Sequence, residues 1–367
     1  MYFDLTDEQQ AIKATAKQFL ASRYKSERMR EIAASADGFD ADGWAEIAEL
    51  GWPGLALPEE WGGQGLGIVE LAILFEEMGY ALVPSPLLSN TVVGLALSFC
   101  GSDDQRERYL RPLAAGQKRG APALWDAGSS ATPGAFKLEA KADGDAVVLD
   151  GVKVLVMDAA SADFFLVSTS DGRRHMVAAD AAGVTIAEET SIDTTRRLSS
   201  LRLEGVRVGA ADTLPAEGRE YEAVLDRMCV AIAAESTGIA QRSLEMAVEY
   251  AKDRQQFGRP IGAYQAVSHR CAQMLLETEN SRSAVYGAAW AADAEPESLR
   301  AASSMAKAYA SDAGWRVPDA SIQVHGGIGF TWEHDLHFFL KRGKANAGFW
   351  GDAKWHRERV ADAVLAA

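Results

Sequence analysis

Two short stretches carry side chains suited to holding an anionic group. In the first, YAKDRQQFGRPIGAYQ from Tyr250 to Gln265, Arg254 offers a planar guanidinium that can grip two phosphate oxygens at once. Gln255 and Gln256 add neutral donors, and Phe257 supplies a flat apolar face. Gly258 and Pro260 then end the helical pattern. In the second, QVHGGIGF from Gln323 to Phe330, a side-chain amide precedes Gly326 and Gly327, where another molecule can approach the backbone closely. Such a pair suits a nucleotide.

Together these stretches closely resemble the acyl-CoA dehydrogenase family, in which the matching arginine and glutamine hold the ADP part of FAD across a dimer interface. The likeness extends through ELGWPGLALPEEWGGQGLG, Glu49 to Gly67, and EEMG, Glu76 to Gly79, to the final helix. It implies FAD as cofactor, bound through Arg254, Gln256, Phe257, Gln323, Gly326 and Gly327. It also implies an acyl-CoA thioester substrate, an electron-transferring flavoprotein as acceptor, and an α+β multidomain fold. That fold has an N-terminal helical domain, a middle antiparallel β-barrel and a C-terminal four-helix bundle.

Oxidising an acyl-CoA needs a carboxylate for the α-proton, donors on the thioester oxygen and a flavin to accept hydride. The resemblance places the base in the last helical region, where this chain has Trp350, and tryptophan cannot serve. A second subclass carries the acid on the long central helix followed by arginine; the matching positions here are Met228 and Cys229. Asp226 and Arg227 reproduce the pair two residues early, a rotation of about 200° on a helix. Glu235 is the other candidate, on a stripe with Leu225, Met228, Ile232 and Ile239. A carboxylate on that stripe is buried, and pairing with a neighbouring helix is its plainer role. The catalytic residue is thus left unknown.

The flavin-ring side departs from the family too. Trp125, Asp126 and Ala127, then Ser130, Ala131 and Thr132, stand at the loop that holds the ring, and Leu155, Val156 and Met157 at the adjoining strand. Hydroxyl and indole partners are lost. The half a subunit offers its neighbour is present, and the half that would work in cis is degraded. This asymmetry points to one subunit of a heteromeric acyl-CoA dehydrogenase, a heterotetramer of the sterol side-chain type, with a related subunit as partner. Two alternatives stay open: a homo-oligomeric enzyme with its carboxylate relocated to Glu235 or Asp226, and a structural or acyl-CoA-binding relative without flavin. Near the nucleotide stretch, Asp352 and Lys354 replace uncharged family contacts, and Lys354 with Arg357 could neutralise the acid.

The elements that must position these residues follow from pattern. Thr6 to Gln9 reads as a capping box ahead of an amphipathic helix, and residues 1–118 read as a helical domain. WGGQGLG, Trp61 to Gly67, follows no strand and lacks the GxGxxG spacing, so it reads as a loop. Residues 119–212 form the β domain, its short runs separated by Asp150-Gly151 and Asp171-Gly172 turns. Residues 213–367 are helical, with segments at 219–253, 261–293, 296–319 and 333–365. EHDLH, Glu333 to His337, reads as helix-start polarity, and no metal site is expected; His325 reads as a packed histidine.

A chain of 367 residues has length for two or three domains. A formal charge of -15 and pI near 4.9 oppose nucleic acid or an anionic membrane as partner. Cys100, Cys229 and Cys271 form no disulfide or zinc pattern. The acidic start MYFDLTDEQQ is unlike a secretory leader, and no apolar run reaches the roughly 18 residues of a spanning helix, so a cytoplasmic location is expected.

Overall fold

The structure, a computed structural model, describes residues 4–35, 38–128, 133–134, 136–215 and 218–365. In chain order it begins with helices α1 (Asp7–Arg23), α2 (Ser26–Ala34), α3 (Ala41–Glu49), α4 (Ile68–Tyr80), α5 (Leu87–Cys100), α6 (Asp103–Gln105) and α7 (Arg111–Ala114). Strands β1 (Gly120–Ala123), β2 (Trp125–Asp126), β3 (Ala140–Asp143), β4 (Ala146–Met157), β5 (Phe164–Ser168), β6 (Arg174–Ala178), β7 (Val184–Glu189) and β8 (Leu198–Gly209) follow. Then come α8 (Gly218–Asp253), β9 (Gln255–Gln256), β10 (Arg259–Pro260), α9 (Gln265–Ala294), α10 (Leu299–His325), α11 (Leu336–Gly348) and α12 (Ala353–Leu365). The order helical, β, helical is the one the sequence implied. Among the described residues no helix is long and apolar enough to cross a membrane. The contacts divide the chain into two compact units.

One unit comprises residues up to Arg30, Ile68–Val83 and those from Cys229 on. Its first helix starts as the sequence predicts: Gln9 donates its backbone N–H to Thr6 Oγ1 at 3.2 Å, and Thr6 N–H reaches Gln9 Oε1 at 3.0 Å. Small residues set its helix crossings. A Cβ at Gly79 of α4 would lie 2.0 Å from the Glu235 carbonyl, and one at Gly343 of α11 1.9 Å from the Gly314 carbonyl of α10. Backbones touch at both points, so alanine at either must push helices apart. Glu76, buried at one such crossing, accepts from Arg282 Nε at 3.1 Å and the Tyr286 hydroxyl at 2.8 Å. The last predicted helix is in fact two, α11 and α12, because Trp350 and Gly351 adopt φ of 55° and 94° and turn the chain.

The other unit comprises Glu31–Gly67 and Pro84–Met228. Its β part is two sheets, β1-β5-β6 and β2-β4-β8-β7 with β3 on β4, and not a closed antiparallel barrel; β1 and β5 run parallel. Val156, Phe165, Val167, Leu201 and Leu203 lie in the core they share. Asp171-Gly172 does turn the chain between β5 and β6, with Gly172 at φ 85°. Asp150-Gly151 does not. It lies inside β4, where the register against β8 slips between Leu149 and Gly151, a bulge that lets Asp150 Oδ1 accept the Gly205 N–H at 2.6 Å. WGGQGLG is an irregular stretch after a short 3-10 turn, with Gly62 and Gly65 left-handed.

Candidate active site

Arg254 follows the last residue of α8, and its carbonyl accepts the Ile261 N–H at 2.9 Å. Between them Gln255–Gln256 pairs antiparallel with Arg259–Pro260, a hairpin whose two turn residues, Phe257 and Gly258, both have positive φ, 51° and 79°. Such a turn favours Asn-Gly, and a phenylalanine there is strained by about 1 kcal/mol or more. Phe257 is also 91% exposed. Arg254, Gln255, Gln256 and Gln323 all face solvent. Tyr250, one turn before Arg254, stacks on His325 at 4.5 Å, which brings the two nucleotide-like stretches together. Beyond His325, Gly326 has φ 62° and ψ -135°, a conformation effectively reserved for glycine. A Cβ at Gly326 or Gly327 would meet nothing within 4 Å. The glycines therefore open a surface.

Trp350 sits in a wholly different setting, 3% exposed, in the turn that separates α11 from α12. Its carbonyl accepts from His356 Nε2 at 2.9 Å. The neighbouring Gly351 carbonyl and the Asn346 carbonyl each accept from Lys307 Nζ at 3.1 Å, and Ser311 Oγ accepts a third bond at 2.8 Å. Lys307 is completely buried, and burial pushes its pKa down from the usual value to about 8. Its partners are carbonyls at the end of α11, where a cation is favoured. Burial also pushes His356 down to about 3.

Glu235 is buried on α8, with Arg342 Nη1 2.8 Å from one oxygen and Asn346 Nδ2 2.8 Å from the other. It is a carboxylate paired with a neighbouring helix. Asp226 is also buried. Of the ring-side positions, Trp125 lies in β2 and is buried, and Asp126 pairs with Lys153 at 2.8 Å. Lys153, fully buried and pushed by burial to about 8, also donates to Ser168 Oγ and the Leu124 carbonyl. Leu155 is left-handed at φ 55°, while Val156 lies in the sheet core and Met157 is also buried. Ser130, Ala131 and Thr132 lie outside the described residues.

His334 packs on His325 at 4.6 Å, His337 on Trp332 at 4.7 Å, and Asp335 pairs with Arg30 at 2.6 Å. EHDLH thus serves packing. Among the described residues no group of three or more His, Cys, Asp or Glu is placed to hold a metal. Asp352 Oδ1 accepts the Trp355 N–H at 2.8 Å, a helix cap, and Arg357 pairs with Asp312 at 2.6 Å.

Residues 6–117 match the acyl-CoA dehydrogenase N-terminal domain, and residues 221–365 the acyl-CoA dehydrogenase C-terminal domain. A probable acyl-CoA dehydrogenase, YngJ of Bacillus subtilis, is 31% identical over 94% of this chain and 94% of its own. Among solved structures, the ChsE4-ChsE5 complex of Mycobacterium tuberculosis is 26% identical, with each chain fully covered and a TM-score of 0.91. A Tcur3481-Tcur3483 steroid ACAD variant is 31% identical over 98% of both chains, with a TM-score of 0.88. The chain belongs to the acyl-CoA dehydrogenase family. Acyl-CoA dehydrogenases are FAD-dependent oxidoreductases, and FAD joins an ADP end to a redox ring.

The two ends of that cofactor call for different groups. An ADP end would need exposed donors and open backbone, which Arg254, Gln256 and Gln323 and the glycines Gly326 and Gly327 present. At the ring positions, Asp126 is committed to Lys153, and Leu155, Val156 and Met157 carry no side-chain donor. Sequence reasoning missed Lys307, Asn346 and His356, which fasten the Trp350 turn, and Arg342, which pairs with Glu235. One signal existed: Lys307 and Ser311 are a polar pair at helical spacing within the Ala- and Ser-rich AASSMAKAYASDAG.

Proposed function

We propose that this chain is a subunit of a heteromeric flavin-dependent acyl-CoA dehydrogenase, lending its exposed ADP grip to FAD whose ring and catalytic base belong to a related partner subunit. The reaction is α,β-desaturation of an acyl-CoA thioester, with an electron-transferring flavoprotein as acceptor. One observation carries this reading. The donors of the Arg254 hairpin and the Gly326 loop face outward, whereas the position of the missing base is a buried tryptophan turn whose carbonyls are bonded internally. FAD supplies hydride acceptance when bound; this chain's part is to hold and orient its nucleotide end.

The ChsE4-ChsE5 and Tcur3481-Tcur3483 structures, described as a two-component complex and a steroid ACAD, support a steroid-type acyl-CoA as substrate class. The chain purified alone should lack the flavin band near about 450 nm and show no turnover with acyl-CoA. Co-purified with its partner it should yield a yellow, active complex. A yellow, active homo-oligomer from this chain alone sinks the proposal.

A further inference from the structure

Arg174 opens β6 and is only 8% exposed, yet among the described residues no carboxylate lies within ion-pair distance of it. Its guanidinium is held between two rings, 4.5 Å from the centre of Phe136 and 4.3 Å from that of Tyr221. Nη1 donates to the carbonyls of Gly172 and Arg173 at 2.8 and 3.0 Å. Nε and Nη2, on the remaining edge, have no acceptor among the described residues. The Tyr221 hydroxyl, on the rim of the ring stacked against that guanidinium, is buried and has no hydrogen-bond partner.

Leaving the buried Tyr221 hydroxyl without a partner is costly, because it has given up water and gained nothing in return, and the adjoining guanidinium is bonded through Nη1 alone. The neighbouring charges do not repair the deficit. Lys153, which also faces Phe136, is spent on Asp126. Asp171 accepts from the Thr169 hydroxyl at 2.6 Å and the Arg173 N–H at 3.1 Å. Glu220, next to Tyr221, is exposed. All of these residues lie in the β-containing unit.

We propose that Arg174 and Tyr221 form a phosphate-binding site, distinct from the flavin grip. A phosphoryl group presents several acceptor oxygens, enough to take the free guanidinium edge and the phenolic hydroxyl together, and its charge balances the unpaired arginine. The group belongs either to a nucleotide-bearing ligand or to free phosphate. The site stands without the half-site reading: flavin content of the complex tests that reading, and phosphate binding to the chain alone tests this one.

The test is calorimetric titration of the full chain with inorganic phosphate and with adenosine 3′,5′-bisphosphate, at constant ionic strength. Saturable binding should weaken roughly tenfold or more in Arg174→Gln, the loss of a charged donor. It should weaken several-fold in Tyr221→Phe, which keeps the ring stack. Much tighter binding of the bisphosphate than of phosphate, sensitive to the same two substitutions, assigns the group to a nucleotide; equal binding assigns it to free phosphate. If Arg174→Gln does not fold, Tyr221→Phe decides. Affinity unchanged in Tyr221→Phe, or no saturable binding of either probe to the natural chain, overturns the site.

Discussion

The Arg254 hairpin and the Trp350 turn belong to one compact unit and both carry non-glycine residues at positive φ, but they handle that strain in opposite ways. At the hairpin the strained residue is an aromatic left almost wholly in solvent, flanked by donors that face outward. At the turn it is a buried tryptophan bracketed by Lys307 and His356, which bond the carbonyls of Asn346, Trp350 and Gly351. Strain kept inside and bonded on all sides serves the fold alone. Strain displayed beside unspent donors is not compensated within the hairpin itself. The difference separates an open surface, the one proposed above to hold the nucleotide end of FAD, from a closed site.

The most forceful way to break the comparison is to attack what closes the turn's surroundings. Arg342→Met removes the cation that Glu235 pairs with at 2.8 Å, and breaking a buried pair costs about 3–5 kcal/mol. Urea unfolding should show that loss with an unchanged m-value, whereas a loss below about 1 kcal/mol denies Glu235 its structural role. In the native complex Glu235→Gln should leave the rate per assembled enzyme unaltered. A large fall in rate with flavin retained would instead make it the base.

Next in size is Arg254→Ala. Removing a charge-assisted grip on a phosphate costs about 1.5–3 kcal/mol, or roughly ten- to a hundredfold in cofactor retention. Flavin content of the purified complex reports this directly, and the fold of the isolated chain should not change because the arginine is exposed. Full flavin content in the variant complex would refute the lending of this grip.

How much of this was legible in the sequence depended on which interactions were local. The Thr6 cap, the helix ends at Arg254 and the glycine loop at Gly326 are written within a few residues, and each appears as expected. The Asp150-Gly151 dipeptide misled, because a long partner strand can absorb a turn signal as a bulge. Closure of the sheets could not be read, since it depends on which strands pair, and β1 pairs with β5 some forty residues away. The fastening of the Trp350 turn was hidden for the same reason: Lys307 meets its carbonyls across a helix crossing.

The buried lysine gives a smaller, pH-dependent effect. Burial holds Lys307 at about 8 in the folded chain against 10.5 as its ordinary value. Between those two pH values the unfolded chain binds more protons than the native one, so stability rises with pH across that window and is flat below it. Lys153, lowered to about 8 by burial as well, contributes in the same direction. In Lys307→Met the rise between pH about 8 and 10 should shrink and not vanish, which unfolding midpoints measured at a series of pH values will show. A slope identical to that of the natural chain means that folded Lys307 keeps its proton through that window and that burial does not lower it.

The smallest effect is the most discriminating, because its two readouts should move in opposite directions. Phe257 occupies the first position of a turn that prefers asparagine, and among the described residues its ring has only an edge contact with Tyr264 at 6.4 Å. Phe257→Asn should therefore stabilise the isolated chain, by up to about 1 kcal/mol, by relieving a left-handed conformation the aromatic tolerates poorly. If the ring is retained for an outside surface, the same substitution should weaken assembly with the flavin-bearing partner, measurable as a raised dissociation constant in sedimentation or calorimetry. A variant that is more stable alone and assembles equally well means that the exposed aromatic has no partner, and with it falls the contrast between the hairpin and the sealed turn.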